Sequence, residues 1–155
     1  MSNTHERKMK IVIREAVVLD IDIILEIYSQ PTIDNGVVLK SEEAKEIFKM
    51  IVLYPNYKIY VAEFDKTIVG TIAVLIMHNI GHLGKPSAIF ESFAVLPEYQ
   101  NQGIGRKIIK YVMDLCKEAG CYKITLSADL KRDIAHNFYE TLGFVKHGYS
   151  YKYII

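Results

Sequence analysis

"SAIFESFAVLPEYQNQGIGRKIIKYV", residues 87–112, joins a run that is apolar on both faces to a helical pattern through a turn holding two glycines. Ser87–Val95 is made of small, β-branched and aromatic residues, as in a strand at the centre of a sheet, and one charge, Glu91, breaks it. From Gly103 to Ala119 a stripe of Ile104, Ile108, Val112, Leu115 and Ala119 predicts a helix that stops at Gly120. A further apolar strand, Tyr122–Ser127, follows at once. Strand, helix, strand in that order is a crossover unit, which makes at least part of the sheet parallel.

Outward from this unit the pattern stays regular. "KIVIREA" (Lys10–Ala16) alternates as a strand. Asp20 precedes Ile21, Ile24, Leu25 and Tyr28 at helical spacing, and Ser41 with Glu42, Glu43 and Glu46 opens a second helix toward Val52, its acids placed where the helix dipole favours them. Tyr57–Phe64 and Lys66–Met77 read as a hairpin turning at Asp65, and His78–Pro86 reads as a loop. A last helix over about Arg132–Leu142 buries Ile134, Ala135, Phe138 and Leu142 and ends at Gly143, after which "FVKHGYSYKYII" reads as a terminal hairpin turning near His147 and Gly148. The predicted order is β-α-α-β-β-β-α-β-α-β-β, a mixed α/β fold in one domain over residues 1–155, with the polar residues 1–9 expected to be disordered.

Composition narrows the class of partner. Of the 155 residues, 50% are hydrophobic and 24% charged, which is the composition of a chain that folds by itself. Nineteen basic against eighteen acidic residues leave a net charge of +1, so no field of one sign draws the protein to nucleic acid or to an anionic membrane. The longest apolar run, Ile72–Met77, is far too short for a membrane span, and no apolar leader stands at the start, so a cytoplasmic location is expected. Cys116 and Cys121 fit no metal spacing and are expected as buried thiols. The five histidines lie in no ligand spacing either, and no metal is expected.

The glycine turn carries the first functional signal. A helix leaves its first N–H groups without partners and gathers partial positive charge there, so its N-terminus suits an anion. Gly103 and Gly105 bring no Cβ atom to obstruct a phosphate, and Gln100, Asn101 and Gln102 add neutral donors. A Gly-x-Gly by itself also serves a tight strand-to-helix turn with no ligand at all. Ile108 stands where a dinucleotide fingerprint has its third glycine, and no Gly-Lys-Ser/Thr run offers a triphosphate loop.

Gln100-x-x-Gly103-x-Gly105, preceded by "ESFAVLPEY" and followed some thirty residues later by "AHNFYETLGF" (Ala135–Phe144), resembles the GCN5-related N-acetyltransferase (GNAT) superfamily. The resemblance implies the GNAT fold, a mixed and mostly antiparallel sheet of about six to seven strands, splayed between the fourth and fifth and flanked by about four helices. It implies acetyl-CoA as co-substrate, with its pyrophosphate on the backbone of Gln100, Asn101, Gln102, Gly103, Ile104, Gly105 and Arg106. The pantetheine arm would run along the main chain of Phe93, Ala94 and Val95, where a strand N–H near Phe93 polarises the thioester carbonyl. Arg106 in the first helical turn suits a phosphate, though exposed arginines are common. Many relatives have Asn where this chain has Arg132, which extends the cofactor set as a cation toward phosphate.

The chemistry implied is direct transfer of acetyl to a primary amine through a tetrahedral intermediate, which needs a base for the amine and an acid for the departing thiolate. Tyr139 stands where the family often has that acid; read without the family it is core filler beside Phe138. Glu91 stands where the family often has the base, and a carboxylate inside an apolar strand is either unpaired and disfavoured in its charged form or half of a buried ion pair. The acceptor pocket implied is built from about residues 30–40, 78–85 and 146–153, where Tyr149, Tyr151 and Tyr153 alternate. A small amine, amino sugar or amino acid is the expected acceptor, and monomer or homodimer the expected state. Local likeness to glucosamine-phosphate N-acetyltransferases stops at Ser92, where that branch has a second acid, and at "SADLKR". A peptide or protein acceptor is the alternative, and a non-catalytic acyl-CoA-binding sensor or interaction module is the alternative of another class.

Overall fold

The computed structural model describes residues 10–155, and the disorder expected of residues 1–9 lies outside the described residues. Strand β1 (Ile11–Glu15) leads into helices α1 (Ile21–Tyr28) and α2 (Ser41–Val52). Strands β2 (Tyr57–Phe64), β3 (Thr67–Met77) and β4 (Ser87–Val95) follow, then α3 (Ile104–Glu118), β5 (Lys123–Leu126) and α4 (Asp133–Glu140). One sheet forms in the order β1-β2-β3-β4-β5, antiparallel throughout except for the parallel β4–β5 pair that α3 connects. Asp65 and Lys66 both have positive φ, 45° and 68°, the geometry of a tight turn that suits the right-handed twist of the β2–β3 hairpin.

Alternation along the central strands divides the interior into two layers. Ile59, Val61 and Ala73 face Ile21, Ile24, Ala44 and Phe48 of α1 and α2. Ala62, Ile72, Val74, Ala88 and Phe90 face Ile104, Ile108, Ile109, Val112 and Cys116 of α3. Residues 69–74 of β3 are therefore buried without a break, as in a strand covered on both faces. The buried stripe of α3 runs through Ile109 and Cys116, whereas Leu115 is half-buried and Ala119 exposed, a rotation of the expected face by a fraction of a turn.

Two expectations need correction. Among the described residues the sheet has five strands, not six to seven, and the predicted terminal hairpin is absent: residues after Phe144 form neither strand nor helix. Alternating tyrosines supply strand propensity, but a strand also needs a partner for its N–H and C=O groups, and among the described residues the tail has none. The place expected to splay is where β5 ends. Pairing of β4 with β5 covers only Ser87–Phe90 against Lys123–Leu126, so the rest of β4 runs on without β5.

Candidate active site

Beyond Phe90, β4 changes course. Its register against β3 shifts between Ala73↔Glu91 and Thr71↔Ala94, so Ser92 and Phe93 together oppose Ile72, a β-bulge. Ser92 takes φ +50°, a left-handed conformation unusual for a residue with a side chain. From α1, Tyr28 packs beneath this point with the hydroxyls of Thr71 and Ser92 beside its phenol, which burial pushes up to about 12. The bulge begins where β5 ends, leaving the β5-facing edge of residues 91–95 without a strand partner among the described residues.

A cleft of about 160 Å³ opens there, walled by Glu91, Ser92 and Phe93 from β4, Ser127 from the end of β5, and Arg132 and Tyr139 from α4. Thr32 and Ile33, within the segment expected to face an acceptor, close it from the α1–α2 connection. Ser127 carries no motif and was expected as the last residue of the strand Tyr122–Ser127; it stands instead as the first residue beyond β5.

Tyr139 is half-buried among aromatic rings, with centroids 5.4 Å from Phe138, 5.8 Å from Phe144 and 6.4 Å from Phe93. Burial raises its phenol above the ordinary value; nearby Arg132 opposes that rise and Glu91 adds to it. The phenol therefore keeps its proton at neutral pH while both charges lie within electrostatic reach. Glu91 itself differs from expectation. It is exposed, not enclosed in an apolar strand, and no ion pair holds it among the described residues, because the bulge turns this part of β4 toward the cleft.

The glycine turn also departs from expectation in detail. The Gln100 side-chain amide donates to the Val95 carbonyl at 2.8 Å, and the Gln102 amide to the Glu98 carbonyl at 2.9 Å, so both brace the turn itself instead of presenting donors outward. Asn101, at φ +59°, remains exposed. Gly103 caps α3 at φ +80°, and a Cβ there would meet no protein atom within 4 Å. Gly105 works differently: its Cβ would lie 3.1 Å from the Phe93 ring and 3.4 Å from Phe138, so its bareness serves the stacking of those rings, 5.9 Å apart, instead of the approach of a phosphate. The first amides of α3, Ile104 to Arg106, precede the first intrahelical bond, Lys107 N–H to the Gly103 carbonyl, and stay available. An open turn with bare donors at a helix start fits a phosphate-bearing group.

Arg106 reaches across to the end of α4, donating to Thr141 Oγ1 at 2.9 Å, and this ties the glycine turn to the helix that carries Tyr139. Arg132 stands at the N-terminus of α4, exposed at the cleft. Ala94 and Val95 are buried, so only their main chain can meet a ligand. Two of the histidines have partners: His82 stacks on Tyr122 at 4.2 Å, and His136 Nε2 lies 2.9 Å from the Asp129 carbonyl. Among the described residues no three His, Cys, Asp or Glu side chains gather as a metal site. Cys116 is buried and its thiol pushed up to about 12 by that burial, while Cys121 is only half-buried.

The model of the Acetyltransferase (GNAT) family matches residues 21–144. Among curated relatives, N-alpha-acetyltransferase 30 of Schizosaccharomyces pombe is 34% identical over 62 residues, covering 40% of this chain and 41% of that protein. Glucosamine 6-phosphate N-acetyltransferase of Arabidopsis thaliana is 29% identical over 126 residues, 77% of this chain and 78% of the relative. The solved structure of glucosamine-6-phosphate N-acetyltransferase from Arabidopsis thaliana superposes with a TM-score of 0.79 at 25% identity, covering 94% of this chain and 98% of the other. No helix among the described residues is long and apolar enough to cross a membrane.

Proposed function

Because the chain belongs to the acetyltransferase (GNAT) family over residues 21–144, we propose that it is an acetyl-CoA-dependent N-acetyltransferase acting on the primary amine of a small molecule. The observation that carries this reading is the meeting, in one cleft, of a strand edge without a partner, a protonated phenol and an exposed carboxylate. Acetyl-CoA supplies the activated thioester.

The main chain of Phe93, Ala94 and Val95 binds the extended arm as a neighbouring strand would, since its own neighbour β5 has left. A strand N–H near Phe93 donates to the carbonyl oxygen as negative charge builds on it. The turn from Gln100 to Arg106 holds the phosphates on the amides at the start of α3, and Arg132 adds positive charge from α4. Glu91, solvated and at the cleft wall, takes the proton from the incoming ammonium directly or through water. Tyr139 returns a proton to the departing sulfur, a role that its raised phenol suits because the proton is in place before transfer.

The likeness to glucosamine 6-phosphate N-acetyltransferase over 77% of the chain supports an amino sugar or similar small amine as acceptor. The second reading, a peptide N-terminus, rests on the 34% identity to N-alpha-acetyltransferase 30, which covers a shorter part of the chain. Incubation with acetyl-CoA against a panel of amino sugars, polyamines, amino acids and short peptides, reading free thiol and identifying the product by mass spectrometry, tests both. Thiol release with an amino sugar or small amine is the expected result. Cofactor binding with no acceptor-dependent thiol release would leave a non-catalytic acyl-CoA binder instead.

A further inference from the structure

Tyr139 reaches the cleft from a short support. α4 is eight residues long and none of them is fully buried, so the place of the phenol depends on what ties this helix to the body of the domain. Two consecutive residues in the first turn of α3 supply the tie. Gly105 leaves room for the Phe138 ring, which stacks on Phe93 of β4. Beside it, Arg106 turns both Nη atoms to Thr141, the residue that ends α4: Nη2 donates to Oγ1 at 2.9 Å, and Nη1 lies 3.5 Å from the carbonyl oxygen. Thr141 Oγ1 donates in turn to the Phe138 carbonyl at 2.7 Å. A chain of bonds headed by a charged donor thus runs from the glycine turn to the residue next to Tyr139, and bonds linked in this way polarise one another.

The charge suits its place. A helix gathers partial negative charge at its C-terminus, and α4 has no basic residue of its own in its last turn. Arg106 brings that cation from another helix. Phe138 and Thr141 are three residues apart, on one face of α4, so the ring stack and the guanidinium hold the same face. On the reading of Tyr139 as the acid, we infer that Arg106 is a positioning residue: its side chain acts through Thr141 to fix α4, and with it the Tyr139 phenol at the cleft, and does not bind a cofactor phosphate. The amides of the same turn hold the phosphates in that reading. One turn of α3 then sets both the grip on the cofactor and the place of the acid.

Arg106→Met and Thr141→Val remove the bond from its two sides, each at an exposed residue, so the fold should be kept. In both variants the Tyr139 ring signal of ¹³C-tyrosine-labelled protein, assigned by its loss in Tyr139→Phe, should move, and CoA affinity by calorimetry should stay unchanged. With glucosamine 6-phosphate as the probe acceptor, kcat should fall by about 10- to 100-fold. Arg106→Met should lower it no further in the Tyr139→Phe background, because a residue that acts only through Tyr139 has nothing left to place. An unmoved Tyr139 signal, a loss of CoA affinity in Arg106→Met but not in Thr141→Val, or an added loss in the double variant would each overturn this role. If Tyr139→Phe by itself leaves kcat unchanged, it is the acid reading that fails, and the ring signal and the CoA titration still decide whether Arg106 holds α4.

Discussion

Two polar clusters of this molecule are built from the same kinds of residue and differ in whether their bonds are closed. At the corner where β1 leads into α1, Arg14 grips Asp20 with two bonds, Nη1 to Oδ2 at 2.7 Å and Nη2 to Oδ1 at 3.1 Å. The Val17 amide donates to the same carboxylate at 2.7 Å, and Glu63 accepts from Arg14 Nε at 3.4 Å. Asp20 is only 5% exposed, and both its carboxylate oxygens accept bonds from within the chain. At the β4–β5 split, Arg132, Glu91 and Tyr139 also lie within electrostatic reach of one another, yet they form no ion pair or side-chain hydrogen bond among the described residues. The first cluster holds the fold together. The second keeps its donors and acceptors for something that is not part of the fold.

That contrast can be broken at several points, and the largest effect is expected at Tyr139. Tyr139→Phe keeps the ring packing and removes only the hydroxyl, so kcat should fall by about 10²- to 10⁴-fold while CoA affinity by calorimetry stays nearly unchanged. A large loss of affinity with kcat preserved would remove Tyr139 from its role as acid. At the closed corner, Arg14→Ala should cost about 2 kcal/mol in urea unfolding, because it strands a buried carboxylate; the partial exposure of Arg14 keeps the cost below that of a fully buried pair. The acetyl-transfer rate should not change.

The same corner sets a pH dependence. Burial by itself would raise the Asp20 carboxyl, but Arg14 and the Val17 amide outweigh it and hold the group below its ordinary 3.8. A lowered carboxylate stabilises the folded state fully above the unfolded value and loses that contribution as pH falls through the folded one. Stability should therefore decline below about pH 3.8, and Arg14→Ala should flatten that decline. Gly103→Ala is milder: its φ of +80° strains any side chain and should cost about 1 kcal/mol of stability, with weaker CoA binding as the functional trace. The smallest change in stability belongs to Glu91→Gln, which should leave urea unfolding unaltered because the residue is exposed, and lower the transfer rate. Unaltered transfer would return Glu91 to the solvated surface.

The order of elements through α4 was legible because it depends on period alone: alternation in β1, the apolar stripe of α3, Asp65 between two β-branched runs. The family likeness was legible because its two motifs lie in the crossover helix and the last helix, at fixed spacing. The bulge at Ser92 and Phe93 was not, since nothing in "FESFAV" separates a straight strand from one that turns a residue into the left-handed region, and Glu91 was for that reason expected inside. Gln100 and Gln102 looked like donors for a ligand, but an amide that serves a phosphate and one that serves Val95 or Glu98 have the same sequence. Gly105 was read as space for a phosphate, whereas the rings it admits, Phe93 and Phe138, come from distant parts of the chain. The tyrosine alternation after Phe144 gave strand propensity, but propensity does not supply a neighbouring strand, and among the described residues the tail pairs with none.

The distinction between a closed corner and an open cleft is tested most directly by titrating acetyl-CoA into the ¹⁵N-labelled protein and following the backbone amide resonances. The account predicts shifts concentrated at Phe93 to Val95, at Ile104 to Arg106 and in α4 around Tyr139, with Arg14 to Asp20 unmoved. Shifts centred on the Arg14–Asp20 corner, or none at the β4–β5 split, would contradict it.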